Sequence, residues 1–256
     1  MLKKRIIPIL LYSQGRLVKT VRFDLAAARD VGDPVKSVGV YNSQQADEII
    51  LLNIDRESRG WDRLGALVEK VAQVCFTPLT IGGGIRSFDD ALRLISSGAD
   101  KVVINSAAYR DKALITRIAE RFGSQAVIVA LDVRRDPESG LPILYSDCGG
   151  QREAVDLAGH IEACVAAGVG ELLIQSIDRD GVMSGYDVEL LRLVAEQVRV
   201  PVIGAGGSGD YEQLQAAFLE GGVDALACAS IFHFSDSNPM RAKAALSNSG
   251  LRFKVV

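Results

Sequence analysis

The stretch Pro78-Leu-Thr-Ile-Gly-Gly-Gly-Ile-Arg86 is an apolar run that ends in three glycines, and the chain repeats it as Pro201-Val-Ile-Gly-Ala-Gly-Gly-Ser-Gly209. In each copy a segment with helical spacing follows, and then a second apolar run, over residues 98–106 in the first half and 222–230 in the second. Two further pairs keep the same order, residues 47–56 with 170–179 and residues 6–11 with 127–132. Matching units in one order, offset by about half the chain, indicate an internally duplicated architecture.

Eight short runs rich in Ile, Val and Leu predict the strands of this architecture. They lie at residues 5–11, 48–54, 78–81, 101–104, 126–131, 171–175, 201–204 and 225–228. Stretches with apolar residues at three-to-four spacing separate them and predict helices. Strands that are apolar on both faces are typical of a parallel sheet covered by helices. We therefore predict an α/β protein with a (β/α)8 (TIM) barrel built from two half-barrels of four units. An open, doubly wound sheet is the competing fold, but it gives no reason for the duplication.

The bulk composition bounds the class of protein. With 256 residues, 48% of them hydrophobic, the chain can bury one large core, and we expect a single domain over residues 1–256. A net charge of −3 and a pI near 5.5 give no bulk attraction to nucleic acid or membrane, and neither is expected as a partner. The four scattered cysteines and two histidines show no metal-ligand spacing, so we expect reduced cysteines, no metal and no cofactor. The sequence shows no secretory signal or long apolar stretch, which predicts a cytoplasmic protein.

Two glycine-rich turns at matching places of the repeat predict phosphate sites. Glycine lets backbone N–H groups approach an anion because no Cβ intervenes. Each turn is paired with a small polar loop after the next strand, and a further Asp-Gly turn adds backbone N–H groups near the second site. The residues concerned are Gly83, Gly84, Asn105 and Ser106 in the first half, and Asp180, Gly181, Gly206, Gly207, Ala229 and Ser230 in the second. A lone Gly-Gly would only mark a tight turn, but two related sites favour a long ligand with a phosphate at each end.

At this point the chain closely resembles the HisF family, the cyclase subunits of imidazole glycerol phosphate synthase. The matching blocks are Lys3–Pro8, Gly32–Pro34, Ile81–Arg86, Gly98–Lys101, Ile104–Ser106, Ala119–Ser124, Ser176–Gly181 and Ala229–Phe234. The resemblance implies a barrel that receives ammonia from a HisH-like glutaminase docked at the amino-terminal face of the strands. It also implies an acceptor phosphorylated at both ends, an aminoimidazole carboxamide ribonucleotide that carries a ribulosyl group.

The resemblance further implies an ammonia gate at the lower end of the barrel, formed by Arg5, Glu48, Lys101 and Glu171. A charged residue at the start of a strand lies by default at a solvated rim. Four such residues of both signs are able to form a closed ring in which each charge compensates the desolvation of the others. Asp100 matches the family position that faces the glutaminase.

The catalytic residues show both a match and a departure. Asp132 matches the family's aspartate at the end of the fifth strand, and Lys19 matches the lysine of its catalytic loop. The aspartate expected at the end of the first strand is replaced by Leu11. Asn53 and Gln175 also stand in the predicted mouth of the barrel, where the family usually has aspartate and threonine. A positioned acid or base contributes about 10²–10⁴-fold in rate, so we expect Leu11 to impair the standard cyclization.

Three functions follow from this pattern. The main interpretation is a HisF-like synthase subunit that uses ammonia for another acceptor, as in the amidination of an acetamido sugar for surface polysaccharides, together with an amidotransferase-type synthetase. The first alternative is the cyclase of histidine biosynthesis, with Asp132 and water sharing the proton transfers. The second alternative is a non-catalytic scaffold that activates a glutaminase. The related barrel isomerase of the histidine pathway ranks last, because it has no use for a gate.

Overall fold

Alternating strands and helices run along the whole part of the chain that the computed structural model describes, residues 3–55 and 58–254, with side chains described outside residues 58–62. The strands are β1 Arg5–Ser13, β2 Arg16–Val21, β3 Asp24–Gly32, β4 Ile49–Asn53, β5 Leu79–Gly82, β6 Lys101–Ile104, β7 Val127–Arg135, β8 Pro142–Ser146, β9 Gln151–Arg152, β10 Glu171–Ser176, β11 Val202–Ala205 and β12 Ala225–Cys228. The helices are α1 Pro34–Ser43, α2 Ser58–Ala72, α3 Phe88–Ser96, α4 Ser106–Arg110, α5 Ala113–Phe122, α6 Leu157–Ala166, α7 Val188–Gln197, α8 Tyr211–Leu219, α9 Ser230–His233 and α10 Pro239–Ser247.

Eight of these strands form a closed parallel barrel. They follow one another in the order β1, β4, β5, β6, β7, β10, β11 and β12, and each pairs in parallel with the next. The barrel closes where β12 pairs with β1 in parallel, with Arg5 opposite Ala225. Every predicted strand is present, so the (β/α)8 (TIM) barrel is confirmed and the open sheet is excluded.

Side-chain alternation along the strands divides the apolar residues into two cores. On β1, Ile6 and Leu10 belong to the large core between the barrel and its helices, whereas Ile7 and Ile9 belong to a smaller cluster inside the barrel. Successive strand residues point to opposite faces, which is why one apolar strand serves both cores. The inner cluster also includes Ala225 and Ala227 of β12.

Several helices begin at a polar residue that caps their free N–H groups. Ser87 accepts a hydrogen bond from the Asp90 N–H, and the Asp90 carboxylate accepts one from the Ser87 N–H, which forms a capping box at α3. Asp187 caps α7 and Asp210 caps α8 in the second half of the chain. These caps fix where each helix starts, and thereby the length of the loops that follow the carboxyl ends of the strands.

Two antiparallel extensions depart from the eightfold pattern. The segment after β1, predicted as a long loop, is the hairpin of β2 and β3, and β2 pairs with β1. The other extension is β8 with β9, which continues the edge of β7. The β2–β3 hairpin lies against the turn after β10, because the Arg22 N–H donates to the Asp180 carbonyl at 2.9 Å. A Cβ at Gly181 would lie 2.5 Å from the Thr20 carbonyl oxygen, so this approach depends on a glycine.

Three aspartates each lie just before a barrel strand and bind the backbone of the neighbouring strand that comes earlier in the chain. Asp47 accepts a hydrogen bond from the Ile6 N–H, Asp100 accepts one from the Leu79 N–H, and Asp224 accepts one from the Val202 N–H. Asp100, predicted to face a partner, therefore has a structural contact within the barrel through one carboxylate oxygen and is otherwise exposed.

Two expectations from the composition concern long apolar helices and the state of the cysteines. Among them no helix combines the length and the apolar character that a bilayer crossing requires. All four cysteines are free thiols in the described chain, with Cys164 and Cys228 buried.

Candidate active site

A cavity of about 290 Å³ lies at the carboxyl ends of the barrel strands, and we call it the mouth cavity. Four residues that the sequence predicted for this place line it together: Leu11, Asn53, Asp132 and Gln175. Asp132 and Gln175 are directly opposite each other in the pairing of β7 with β10. Leu11 contributes an apolar side chain that is 8% exposed. The hairpin adds Phe23 and Leu25 to the cavity, and the sequence analysis did not identify either of them.

Asp132 is the nearly buried carboxyl of the mouth cavity, with 8% of its surface exposed. Burial, reinforced by the negative charge of Asp180, raises the pKa of Asp132 to about 7. A carboxyl with this pKa exists in both protonation states near neutral pH. Asp132 therefore has the protonation behaviour of a group that both gives and takes a proton.

The first glycine turn opens directly onto the mouth cavity, as do the polar residues predicted to accompany it: Gly83, Gly84, Asn105 and Ser106. A Cβ at Gly83 would lie 1.8 Å from the Asn53 carbonyl oxygen, and its φ of +90° also favours glycine. The Asn105 amide donates to the Ala130 carbonyl at 3.1 Å, and the Ser106 hydroxyl accepts from the Asp147 N–H at 3.0 Å. These contacts fix the turn and its loop at the edge of the cavity.

The second glycine turn has the same backbone form in a more covered setting. A Cβ at Gly206 would lie 2.5 Å from the Ser176 carbonyl oxygen, which repeats the approach of Gly83 to Asn53. Gly207 also has a positive φ, and its carbonyl accepts from the Gly185 N–H at 2.9 Å. Ser230 is 4% exposed. Gly206, Gly207, Ala229, Ser230 and Gly181 do not line the mouth cavity, so the two turns differ in access.

Asp180 contributes to the second turn differently from the sequence prediction. Its backbone N–H donates to the carbonyls of Ser176 at 3.0 Å and Ile177 at 3.2 Å, so that group is engaged inside the turn. Its carboxylate instead binds Lys19 Nζ at 2.9 Å and the Thr20 hydroxyl at 3.1 Å. The Asp180 N–H is thus engaged within its own turn and the hairpin engages its carboxylate, while phosphate binding at the Asp180-Gly181 turn stays a prediction.

Lys19, predicted to act in catalysis, lies at Asp180 rather than in the mouth cavity with Asp132. The pair is almost fully buried, with side chains 3% and 7% exposed. Lys19 Nζ also donates to the Thr20 carbonyl. In this arrangement the lysine holds the hairpin to the turn after β10.

At the opposite end of the barrel, Arg5, Glu48, Lys101 and Glu171 form a closed set of ion pairs that we call the charged ring. Arg5 Nη1 donates to Glu48 at 2.9 Å, and Lys101 Nζ donates to Glu48 at 2.8 Å. Arg5 and Lys101 both bind Glu171 as well. Each acid thus contacts both bases in a closed ring, and its role as a gate stays a prediction.

The ring is buried and compensates its own charges. Glu48 and Glu171 side chains are 2% and 8% exposed. Burial alone would raise the pKa of Glu171, but the hydrogen bonds and charges of Arg5 and Lys101 hold it below its usual value. The fully buried Thr80 donates its hydroxyl to Glu48 at 2.6 Å. Thr80 was not predicted as a ring partner, although a threonine inside an apolar strand is the kind of signal that marks one.

An apolar layer inside the barrel separates the charged ring from the mouth cavity. This layer is the smaller cluster described above, and it includes the small Ala130, Ala205, Ala225 and Ala227. The barrel therefore stacks three layers on one axis: a charged layer, an apolar layer, and a mouth with one nearly buried carboxyl.

Comparison with known proteins agrees with this arrangement. Residues 5–238 match the family model described as "Histidine biosynthesis protein". The chain is 43% identical over 254 residues to the imidazole glycerol phosphate synthase subunit HisF of Myxococcus xanthus (strain DK1622), with 99% of each chain covered. It is 42% identical over 257 residues to the subunit of the same name from Hyphomonas neptunium (strain ATCC 15444), with both chains fully covered. The barrel, its charged ring and these relatives together show that the chain belongs to the HisF family of imidazole glycerol phosphate synthase subunits.

Proposed function

We propose that the protein is an ammonia-using synthase subunit that receives ammonia at the charged ring and uses it on a phosphorylated acceptor in the mouth cavity. The observation that carries the proposal is the closed ring of Arg5, Glu48, Lys101 and Glu171 directly beneath a mouth that holds Asp132. Buried ion pairs of this kind contribute little net stability over apolar residues, which favours a functional reason for their presence.

The apolar layer above the ring supports the transport of neutral ammonia. A charged ammonium ion would pay a large desolvation cost among Ile7, Ile50 and Leu173, whereas ammonia would not. In the proposal, ammonium at the ring gives its proton to bulk water and enters the barrel as ammonia. A HisH-like glutaminase docked at this face, near the exposed Asp100, is the source of that ammonia.

The chemistry in the mouth falls to Asp132. Its pKa of about 7 supports alternate roles, first as a base that takes a proton from the attacking nitrogen and then as an acid toward the departing group. Gln175, directly opposite in the strand pairing, and Asn53 on the cavity wall offer amide groups that orient the acceptor. The first glycine turn binds one phosphate of the acceptor, and the second turn binds the other.

The comparisons favour the cyclase alternative over the polysaccharide interpretation, because both relatives are named imidazole glycerol phosphate synthase subunits. In the proposed reaction, ammonia and the aminoimidazole carboxamide ribonucleotide, which carries its ribulosyl group through a formimino carbon, yield imidazole glycerol phosphate, an aminoimidazole carboxamide ribotide and water.

The test is an ammonium-dependent assay with this acceptor at pH 8, where ammonium salts supply ammonia without a glutaminase. We expect product with the parent chain and none above background with Asp132→Asn. Asp236→Asn is the matched control, since Asp236 is exposed and lies outside the mouth cavity. Growth of a cyclase-deficient strain without histidine, when it carries this chain, is the second expected result. Absence of both product and growth would refute the cyclase reaction.

Leu11 specifically favours a second candidate, ammonia delivery to an acetamido sugar together with an amidotransferase-type synthetase. An apolar side chain in place of the first aspartate removes one acid-base group from the mouth while the ring keeps its full set of ion pairs. This candidate predicts glutamine-dependent amidine formation on the sugar only when barrel, glutaminase and synthetase are combined. It also predicts no growth in the complementation experiment, so the two candidates are distinguishable.

A further inference from the structure

Two arginines line the mouth cavity beside the first glycine turn. Arg86 follows Gly84 by two residues, and Arg110 ends α4, the helix that begins at Ser106. Both side chains are exposed. The Arg86 N–H donates to Asp90 at 2.9 Å, so its backbone is fixed by the capping box of α3. The Arg86 side chain thus extends from a fixed backbone, and among the described residues neither guanidinium donates a hydrogen bond.

Two of the carboxylates that line the cavity have other partners. Asp111, next to Arg110, binds Arg117 at 2.9 Å and accepts from the Ala113 N–H at 3.0 Å. Asp55 accepts from the Ser13 hydroxyl at 2.7 Å. Within the described part of the chain, Arg86 and Arg110 form no ion pair. This side of the cavity thus carries two arginines that lack an ion-pair partner among the described carboxylates.

The side of the second turn is different, because its lysine is already paired. Lys19 is neutralised by Asp180 in a buried ion pair, and neither lines the mouth cavity. Among the described side chains that line the mouth cavity, the cations without an ion pair therefore lie at the first turn.

We propose that Arg86 and Arg110 bind the phosphate that sits at the first glycine turn. The inference rests on the proposed function and adds two binding residues to it. A guanidinium presents planar paired donors that match phosphate oxygens, and an uncompensated one gains more from a dianion than one already in an ion pair. The glycine turn supplies close approach, and the arginines supply charge.

Direct titration of the purified full chain with glycerol 3-phosphate and with inorganic phosphate tests the proposal without turnover. Arg86→Gln and Arg110→Gln are each expected to weaken binding about tenfold, since a hydrogen bond to a charged group typically carries that much. Arg110→Lys should restore part of the loss, because charge returns without the planar donors. Arg93→Gln, an exposed arginine on α3 outside the cavity, removes the same net charge and should leave Kd within about twofold of the parent.

The outcomes separate this inference from the proposed function. Loss of phosphate binding in both glutamine variants, with the control unchanged, supports the inference even where the ammonium-dependent assay yields no product. Unchanged binding in the Arg86→Gln/Arg110→Gln double variant overturns it, whatever the assay shows. An equal loss in Arg93→Gln also overturns it, because the effect is then one of net charge. Circular dichroism of each variant establishes that it is folded.

Discussion

The two ends of the barrel interior bury carboxylates to the same degree and give them opposite protonation behaviour. Glu171 in the charged ring is 6% exposed and Asp132 in the mouth cavity is 8% exposed. The pKa of Glu171 lies below its usual value, whereas that of Asp132 is raised to about 7. The difference comes from the partners: Glu171 contacts two cations, whereas Asp132 forms no ion pair among the described residues and feels the negative charge of Asp180. Burial alone does not decide what a carboxyl does; its neighbours decide.

The largest effect is expected when the mouth carboxyl is removed. Asp132→Asn keeps the shape of the side chain and abolishes its titration, so the ammonium-dependent rate should fall about 10²–10⁴-fold. Steady-state kinetics with saturating ammonium measure this loss, which should appear in kcat rather than in KM for the acceptor. Asp236→Asn should keep the parent rate. A loss of less than threefold in Asp132→Asn would remove Asp132 from the mechanism.

The next effect is expected at the charged ring, where Glu171→Gln removes one acid that contacts both bases. Two cations then share Glu48 alone in a buried setting, and the free energy of unfolding should fall by about 3 kcal/mol. Urea denaturation at pH 7 measures the change. The matched control is Arg117→Gln, which breaks the exposed pair with Asp111, side chains 52% and 49% exposed. Exposed pairs contribute about 0–1 kcal/mol, so equal losses in the two variants would contradict a cooperative ring.

The same comparison predicts that Asp132→Asn gains stability where Glu171→Gln loses it. The folded pKa of Asp132 is about 7 against an ordinary value of 3.8, so between these pH values the folded chain keeps a proton that the unfolded chain releases. The stabilising contribution of the protonated form is full below about pH 4 and is lost as pH rises through about 7. Asp132→Asn escapes this loss and should be more stable than the parent at pH 8 by about 1–2 kcal/mol.

Denaturation of parent and Asp132→Asn at pH 5 and pH 8 checks the sign. The stability difference should shrink at pH 5, where Asp132 is protonated in the folded chain. Glu171 has the opposite linkage: its lowered pKa contributes stability above the ordinary value of 4.5 that is lost as pH falls through the folded pKa. A stability gap for Asp132→Asn that is equal at both pH values would contradict the raised pKa.

The sequence predicted the barrel well because its signal is spread over many residues. Eight apolar runs and a duplicated glycine turn each reflect burial or close backbone approach, and both are encoded locally. The β2–β3 hairpin was not predicted, because its turn residues Arg22 and Phe23 have positive φ without being glycine. Nothing in their composition indicates a turn, since the strain is offset by the docking of the hairpin on the turn after β10.

The sequence predicted which residues come together in the candidate site better than it predicted which of them bind each other. Asp132, Gln175 and Asn53 come together as expected, because barrel topology fixes which strand ends meet. The partner of Asp180 depends on where the hairpin docks, and that is a long-range property. Lys19 and Asp180 are 161 residues apart in the chain, and no local pattern links them.

The smallest effect is expected from Leu11→Asp. This variant adds a second carboxyl to the mouth cavity, which then holds two ionisable groups that interact, as the charged ring does. A carboxyl opposite Asp132 lets the two share a proton, and the like charge raises the pKa of one of them further. Any residual cyclase rate should rise about fivefold, less than a fully positioned acid-base group contributes, because the cavity wall has adapted to leucine. Leu11→Asn is the matched control, since it introduces polarity without titration and should not raise the rate. Equal rates for Leu11→Asp and Leu11→Asn would mean that the first-strand position has no acid-base role in this barrel, and that the mouth works through Asp132 alone.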